Sequence, residues 1–294
     1  YTPPQIIDLI VRLCVRNPDD KVLDPGCGSG GFLVSIYDRL LGLKGKTETD
    51  EETHRDLLSQ IWGVDINKFP AHLATINLAI QNLDSESDQI NIIKSDFFDL
   101  RGPTWRLVAP WTVTTLDGRR EEVEMPLFDA VVANPPYTRH GDIPKKQKKK
   151  IRNISLKYGW ENVKLSGQAG IYAYFFIHGA KFLKEGGMMG MIVSNSWLDV
   201  GYGSAIQKFF LEHFKILAII DSDKRVFRDA DVNTVIVILE KTDTKESKED
   251  RDNNLVKFIR LKTHMEIDEI IESIEEHNEY FSDERIRIYP KLQR

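Results

Sequence analysis

An amide, two prolines and an aromatic ring occupy consecutive positions at Asn134-Pro135-Pro136-Tyr137, directly after the apolar run Phe128 to Ala133. That run suits a buried strand, and the prolines end its ladder because neither has an N–H to donate. A residue that precedes proline is pushed to extended backbone, so Asn134 and Pro135 hold their carbonyls, and the Asn side chain, toward a ligand. An amide oxygen, an adjacent backbone carbonyl and the face of Tyr137 suit a planar group with an exocyclic NH2. Such a group needs two acceptors in its plane and a stacking surface above it. A purine or pyrimidine amine has that shape. For these four residues alone, the alternative is a proline-rich turn after a core strand.

A second constellation comes earlier. Lys21 to Asp24 reads as a strand, and Pro25-Gly26-Cys27-Gly28-Ser29-Gly30-Gly31-Phe32-Leu33 turns it into a helix reaching about Leu43. Glycines let the backbone turn tightly and approach a ligand beside a helix N-terminus. Gly26, Gly28 and Gly31 satisfy the G-x-G-x-x-G spacing of dinucleotide sites, which keeps a nicotinamide oxidoreductase open. Asp24 argues against it, because a carboxylate just before the glycines would repel a pyrophosphate but suits an ammonium. Asp65 ends a strand spanning 61–65, where it could accept hydrogen bonds from ribose hydroxyls or cap the next helix, with Ile66 and Asn67 flanking a ring. Asp96 and Phe97 follow a strand at 90–94. There a carboxylate and an aromatic could meet a ligand's amine and ring, or form an exposed turn and a core contact.

The patterns Asp24-Pro25-x-x-Gly28-Ser29-Gly30-x-Phe32-Leu33 and Phe128-Asp-x-Val-x-x-Asn134-Pro135-Pro136-Tyr137 resemble the cofactor and catalytic motifs of amino-group methyltransferases that use S-adenosylmethionine. The likeness is above all to N6-adenine DNA methyltransferases with the gamma-like motif order of type I and type IIG restriction–modification methylases, and it covers roughly residues 1 to 240. It implies S-adenosylmethionine held by Tyr1, Thr2, Asp24, Pro25, Gly26, Gly28, Gly30, Phe32, Asp65, Ile66, Asp96 and Phe97. Asn134, Pro135, Pro136 and Tyr137 would then be catalytic, with no metal. An adenine swung out of duplex DNA would stack on Tyr137 and on Phe227, which lies in a Val-Phe loop. The same motifs serve other acceptors: protein glutamine N5, an RNA base or cytosine N4. Asn rather than Ser at 134 favours adenine over cytosine. A non-catalytic DNA- or partner-binding module of a defence complex is the reading from a different class.

Alternating strands and helices must position these residues, which predicts a doubly wound α/β domain. The resemblance adds a mostly parallel seven-stranded sheet with an antiparallel last strand at Thr234 to Leu239. Residues 44–55 are polar and read as a surface loop. Phe69, Leu73, Ile76, Ile80 and Leu83 recur at helical spacing and predict one buried face of a helix over 69–83. Thr2 reads as an N-cap with Pro3 at the first helical position. Tyr172 to Leu183 reads as an apolar helix stopped by Gly186-Gly187. The expected organisation is a catalytic domain at 1–240 with a hairpin insertion at about 101–126 and a basic loop at about 138–153. A linker at 241–254 and a small strand–helix extension at 255–294, leading toward a target-recognition domain, would follow.

With 294 residues, 41% of them hydrophobic, the chain can bury a large core. Two cysteines exclude a disulfide framework or zinc cluster and fit a reducing cytoplasm. No apolar run approaches the ~20 residues of a membrane span. A net charge of -5 is unlike that of a general nucleic-acid binder, so any basic face must be local. Lys145, Lys146, Lys148, Lys149 and Lys150 form the densest cationic block, just beyond the Tyr137 loop, and suit a phosphate backbone or a solvated loop. The start at Tyr1 suggests a portion of a longer protein, with specificity or nuclease parts as partners.

Overall fold

The computed structural model describes residues 2–85, 90–100, 125–138, 143, 145, 151, 165, 170–198, 203–223, 234–245 and 247–294, and the backbone of 111–114 and 120–123. Tyr1, Lys146, Lys148, Lys149, Lys150 and Phe227 lie outside them, as does the turn of the expected hairpin. Helices α1 (Pro4–Cys14), α2 (Gly31–Leu43), α3 (Glu51–Gln60) and α4 (Lys68–Ala79) alternate with strands β1 (Val22–Asp24), β2 (Ile61–Asp65) and β3 (Asn91–Lys94). Strands β4 (Trp111–Thr114) and β5 (Arg120–Val123) pair antiparallel as a separate ribbon. Then come β6 (Phe128–Ala133), α5 (Ile171–Gly179), β7 (Leu183–Ser194), α6 (Ser204–His213), β8 (Phe214–Ser222) and β9 (Thr234–Lys241). The chain continues through α7 (Lys248–Asp252), β10 (Leu255–Leu261), α8 (Ile267–Glu276), β11 (Phe281–Ser282) and β12 (Ile286–Leu292).

Among the described residues the main sheet has ten strands, ordered β11-β12-β10-β8-β9-β7-β6-β1-β2-β3, and not the expected seven. The expected seven are present as β3-β2-β1-β6-β7-β9-β8, with β9 antiparallel to both β7 and β8. The other three come from the C-terminal residues. Strand β10 pairs in parallel with β8, and β12 and β11 add antiparallel beyond it. Residues 255–292 therefore continue the sheet. Their short, charge-interrupted apolar runs reveal a partner only once β8 offers its edge.

Both faces of the sheet are covered, so the strands read as continuous apolar runs whose alternate residues enter opposite cores. In β9, Val235, Val237 and Leu239 join the core beneath α5 and α6, while Ile236 and Ile238 join the one beneath α1 to α4 and α8. The chain moves from β1 outward to β2 and β3, then returns to β6 on the other side of β1. That reversal opens a crevice at the carboxyl ends of β1 and β6, where doubly wound sheets bind ligands. Asp24 ends β1 and Asn134 follows β6.

Three local expectations change. Residues 51–60, within and beyond the expected loop, form α3, started by Asp50, whose carboxylate accepts from the Thr53 N–H at 2.7 Å. The apolar helix ends at Gly179, and the chain is already in β7 at Leu183; Gly186 (φ 76) and Gly187 lie inside that strand. Helix α4 buries Ala71, Ala74 and Leu78, whereas Phe69 is 73% exposed and Ile76, Ile80 and Leu83 also face out. Backbone proximity explains the reversal: a Cβ on Gly30 would lie 3.0 Å from the Ala74 Cα, so only the small-residue face of α4 can approach the glycine turn.

Candidate active site

The turn after β1 is held by backbone and by one carboxylate. The Cys27 N–H donates to the Val64 carbonyl of β2 at 2.9 Å, and the Gly28 N–H donates to Asp65 Oδ2 at 3.0 Å. Gly28 (φ 52) and Gly30 (φ 92) adopt left-handed backbone that a side chain would strain. Asp65 Oδ1 also accepts from the Asn67 N–H at 2.7 Å, so this carboxylate braces the turn and starts α4. Each of its oxygens retains a second lone-pair direction for a hydroxyl. Ile66, beside it, is exposed.

Asp24 is buried to 1% exposure beneath this turn and accepts from the Gly26 N–H at 3.0 Å. Burial drives its pKa up to about 7; the Gly26 hydrogen bond opposes the rise and the neighbouring Asp65 charge adds to it. A buried carboxyl with no cation beside it among the described residues is a place where an ammonium group would be stabilised. The same burial pushes the Cys27 thiol well up, so it is an inert wall.

Across the crevice, Asn134 donates from Nδ2 to Thr2 Oγ1 at 2.9 Å, while its buried Oδ1 has no hydrogen-bond partner among the described residues. Pro135 is buried, Pro136 is exposed, and Tyr137 is half-buried. The Tyr137 hydroxyl donates to the Ile192 carbonyl of β7 at 3.4 Å, and burial raises the phenol pKa, keeping it neutral. At the end of β7, Ser196 Oγ lies 2.9 Å from Ser194 Oγ and 3.2 Å from the Tyr172 hydroxyl.

One cavity of about 800 Å³ joins the two halves: Thr2, Asp24, Gly26, Gly28, Phe32 and Asn134 all line it. It continues along α1 and α2 past Asp8, Arg12, Asp38 and Arg39. Burial raises the pKa of Asp8 and of Asp38 and lowers that of Arg39. Sequence reading missed this arm because it exists only where α1 packs on α2. The spacing of Asp8 with Arg12, one helical turn apart, was the available signal.

Pro25, Gly30, Asp65, Ile66, Asp96, Phe97, Pro135, Pro136 and Tyr137, also expected at the site, do not line that cavity. Phe97 is 3% exposed, with its ring stacked 5.4 Å from Phe175 and 5.3 Å from Phe182, so it belongs to the core and has no free face for a cofactor ring. Asp96 caps a short 3-10 turn by accepting from the Phe98 N–H at 3.0 Å. Thr2 caps nothing: α1 starts one residue later than expected, with Pro3 at the cap position. Lys145 is exposed.

A doubly wound sheet thus brings a glycine turn, a buried carboxyl and an amide together around one cavity at its switch point, where this class of fold binds ligands. Residues 1–287 match the N-6 DNA Methylase family, and the chain belongs to that family. Membership implies S-adenosylmethionine as the methyl donor. Among relatives, the chain is 25% identical over 220 residues to the type II methyltransferase M.XamI of Xanthomonas campestris pv. amaranthicola, covering 74% of this chain and 34% of that protein. It is 28% identical over 253 residues to the type I restriction enzyme MjaVII methylase subunit of Methanocaldococcus jannaschii, covering 84% and 37%. Its fold matches the type IIG restriction endonuclease BpuSI with a TM-score of 0.69 at 17% identity, over 99% of this chain and 30% of that one. The chain thus spans about a third of the length of these relatives.

The residues present fit S-adenosylmethionine. Gly28 and Gly30 would supply the side-chain-free turn, Asp24 would supply the carboxyl for an ammonium, and Asp65, beside the cavity, would supply lone pairs for a hydroxylated ring. No helix among the described residues is long and apolar enough to cross a membrane.

Proposed function

We propose that this chain is the catalytic core of a restriction–modification methylase that transfers a methyl group from S-adenosylmethionine to N6 of adenine in DNA. The carrying observation is the buried, unpartnered Oδ1 of Asn134, in a cavity shared with Asp24 and the glycine turn. A buried acceptor without a donor is costly, by about 1–3 kcal/mol, unless a ligand supplies one. An exocyclic amine supplies two.

The bound cofactor contributes an electrophilic methyl group on a sulfonium, whose departing thioether is neutral and needs no acid. The protein's task is to prepare the nucleophile. Adenine N6 is a poor one, because its lone pair is delocalised into the ring. Asn134 Oδ1 and the Pro135 carbonyl would each accept one N6 proton, favouring a pyramidal nitrogen whose lone pair points at the methyl group. With S-adenosylmethionine held at Asp24 and the glycine turn, the amine oriented by Asn134 and Pro135 would take up the methyl group, the sulfur would keep the electron pair, and the excess N6 proton would leave to solvent. Tyr137, tethered through its hydroxyl, offers a ring face to a base rotated out of the duplex. Phe227 is the proposed opposite face, and the lysines from 145 to 150 the proposed phosphate contact.

Adenine as the target follows the family description and Asn at 134; DNA and specificity subunits as partners follow the kinds of protein the relatives are. A cytoplasmic location fits that reading. The test is incubation of the complete protein with labelled S-adenosylmethionine and unmethylated DNA, followed by nucleoside chromatography. N6-methyladenine supports the proposal; label on cytosine, RNA or a glutamine side chain, or none at all, would remove it.

A further inference from the structure

The two ends of the Asn134 amide have opposite fates. Its nitrogen is anchored on the Thr2 hydroxyl and its oxygen is buried and unpartnered. An amide is planar, with its donor and acceptor on opposite sides, so anchoring one end fixes where the other points. We propose that Thr2 is the positioning residue for Asn134: its hydroxyl accepts the amide N–H and so presents Oδ1 to the acceptor amine. This inference rests on the assignment of Asn134 to that amine.

Thr2 is fitted for the task by where it stands. Its hydroxyl has no capping duty, since α1 begins at Pro4 with Pro3 at the cap position and no side-chain cap bond. The Pro3 carbonyl accepts from the N–H groups of Ile6 (3.0 Å) and Ile7 (3.2 Å), which locks the first turn. The helix behind it is pinned on the sheet at Gly190, where an added Cβ would lie 2.5 Å from Cys14 Sγ and 2.7 Å from Ile10 Cγ2. Asn134 is equally constrained, between the last residue of β6 and a proline. The Asn134–Thr2 bond therefore joins two rigid parts separated by 132 positions in the chain.

Without that hydroxyl, the amide is free to turn about its last side-chain bond. Turned round, it would face the incoming amine with its own NH2, two donors with no acceptor between them. The lost orientation should slow methyl transfer about tenfold, the equivalent of one ordinary hydrogen bond. Because Thr2 also lines the cofactor cavity, the rate is read at saturating S-adenosylmethionine, where any loss of affinity no longer contributes.

The experiment compares wild type, Thr2→Val and Thr2→Ser in the complete protein. It measures single-turnover methyl transfer to DNA at saturating S-adenosylmethionine and the cofactor Kd by calorimetry. At saturation Thr2→Val should transfer about tenfold more slowly, whatever its Kd, and Thr2→Ser, which keeps the hydroxyl, should restore the rate to within about twofold of wild type. Three results would overturn the proposal: an unchanged rate in Thr2→Val, a loss that higher cofactor concentration restores, or an equal loss in Thr2→Ser. The first denies the role, the second makes Thr2 a cofactor ligand, and the third makes its bulk the cause. Failure of the underlying reading looks different, because wild type itself would then bind the cofactor and methylate no DNA.

Discussion

Around Asp24 the cavity wall is mostly backbone: the turn through Gly26, Gly28 and Gly31, whose Gly28 N–H donates to Asp65 behind it, and a buried carboxyl. Around Asn134 it is side chain: the amide is tethered to Thr2, and beyond the wall the Tyr137 phenol is tethered to the Ile192 carbonyl, both partners far away in the chain. The first half is the more local, since the ends of β1 and β2 and the turn after β1 build nearly all of it. The second is assembled by tertiary contact, because neither tether lies within 50 residues of the group it holds. A local half should answer to backbone substitutions and govern cofactor affinity. An assembled half should answer to side-chain substitutions and govern rate.

The sharpest division comes from Asn134→Ala in the complete protein. Methylation should fall by about 10²-fold or more, as when one preorganised polar contact to a reacting group is deleted, while cofactor Kd stays within about twofold. A matching loss of affinity, measured by calorimetry, would break the division into halves.

Glycine substitutions test the local half. Gly30→Ala meets both a left-handed φ of 92 and the Ala74 backbone at 3.0 Å, so urea unfolding should reveal a loss of about 1–3 kcal/mol. Gly28→Ala, at φ 52 with open space around it, should lose only about 1 kcal/mol. Equal losses would mean that backbone strain alone, and not the approach of α4, shapes the turn.

Asp65→Ala removes the bonds from the Gly28 and Asn67 N–H groups together with lone pairs for a ribose. Cofactor binding should weaken by about 1–3 kcal/mol, with the single-turnover rate at saturation nearly unchanged. A rate defect at saturation would join the two halves through this residue.

The pKa of Asp24 rises from 3.8 to about 7 on burial, so the folded state holds a proton that the unfolded chain releases. Its contribution to stability is fully present below about pH 4 and is lost as pH rises through about 7. An ammonium group beside it favours the carboxylate, so cofactor binding should expel part of a proton and tighten between about pH 6 and about pH 8. Calorimetry in two buffers of different ionisation enthalpy measures that release, and Asp24→Asn should abolish it.

Tyr137→Phe should have the smallest effect, within about threefold in rate. The lost hydroxyl contact to Ile192, at 3.4 Å, is long, and the stacking face survives. A large loss would show that the tether, and not the ring, matters at this position.

The short-range features of this protein were legible from residue types alone. Prolines after an apolar run can only end a strand, glycines after Asp24 can only make a turn, and an Asn held extended can only offer its amide outward. Those rules act over a few bonds and single out Asn134, Asp24, Gly28 and Gly30 one by one; that they serve a common site was what the resemblance to the methyltransferase motifs implied. The β1-to-β2 and β6-to-β7 alternation gave the sheet class for the same reason.

What depended on approach between distant segments was not legible. The apolar period of α4 pointed to Phe69, Ile76 and Ile80, yet the glycine turn admits only the alanine face. Phe97 looked available until α5 brought Phe175 against it. The tail from Leu255 read as an extension, but β8 had an edge to offer and three strands took it. Thr2 carried the signature of a helix cap and instead holds the Asn134 amide, because α1 is pinned on the sheet in a position that only the packed core sets. Propensity and pattern decide what each segment can become, whereas which of its faces is used depends on the shape of the surface it meets, and that surface is created only when the chain packs.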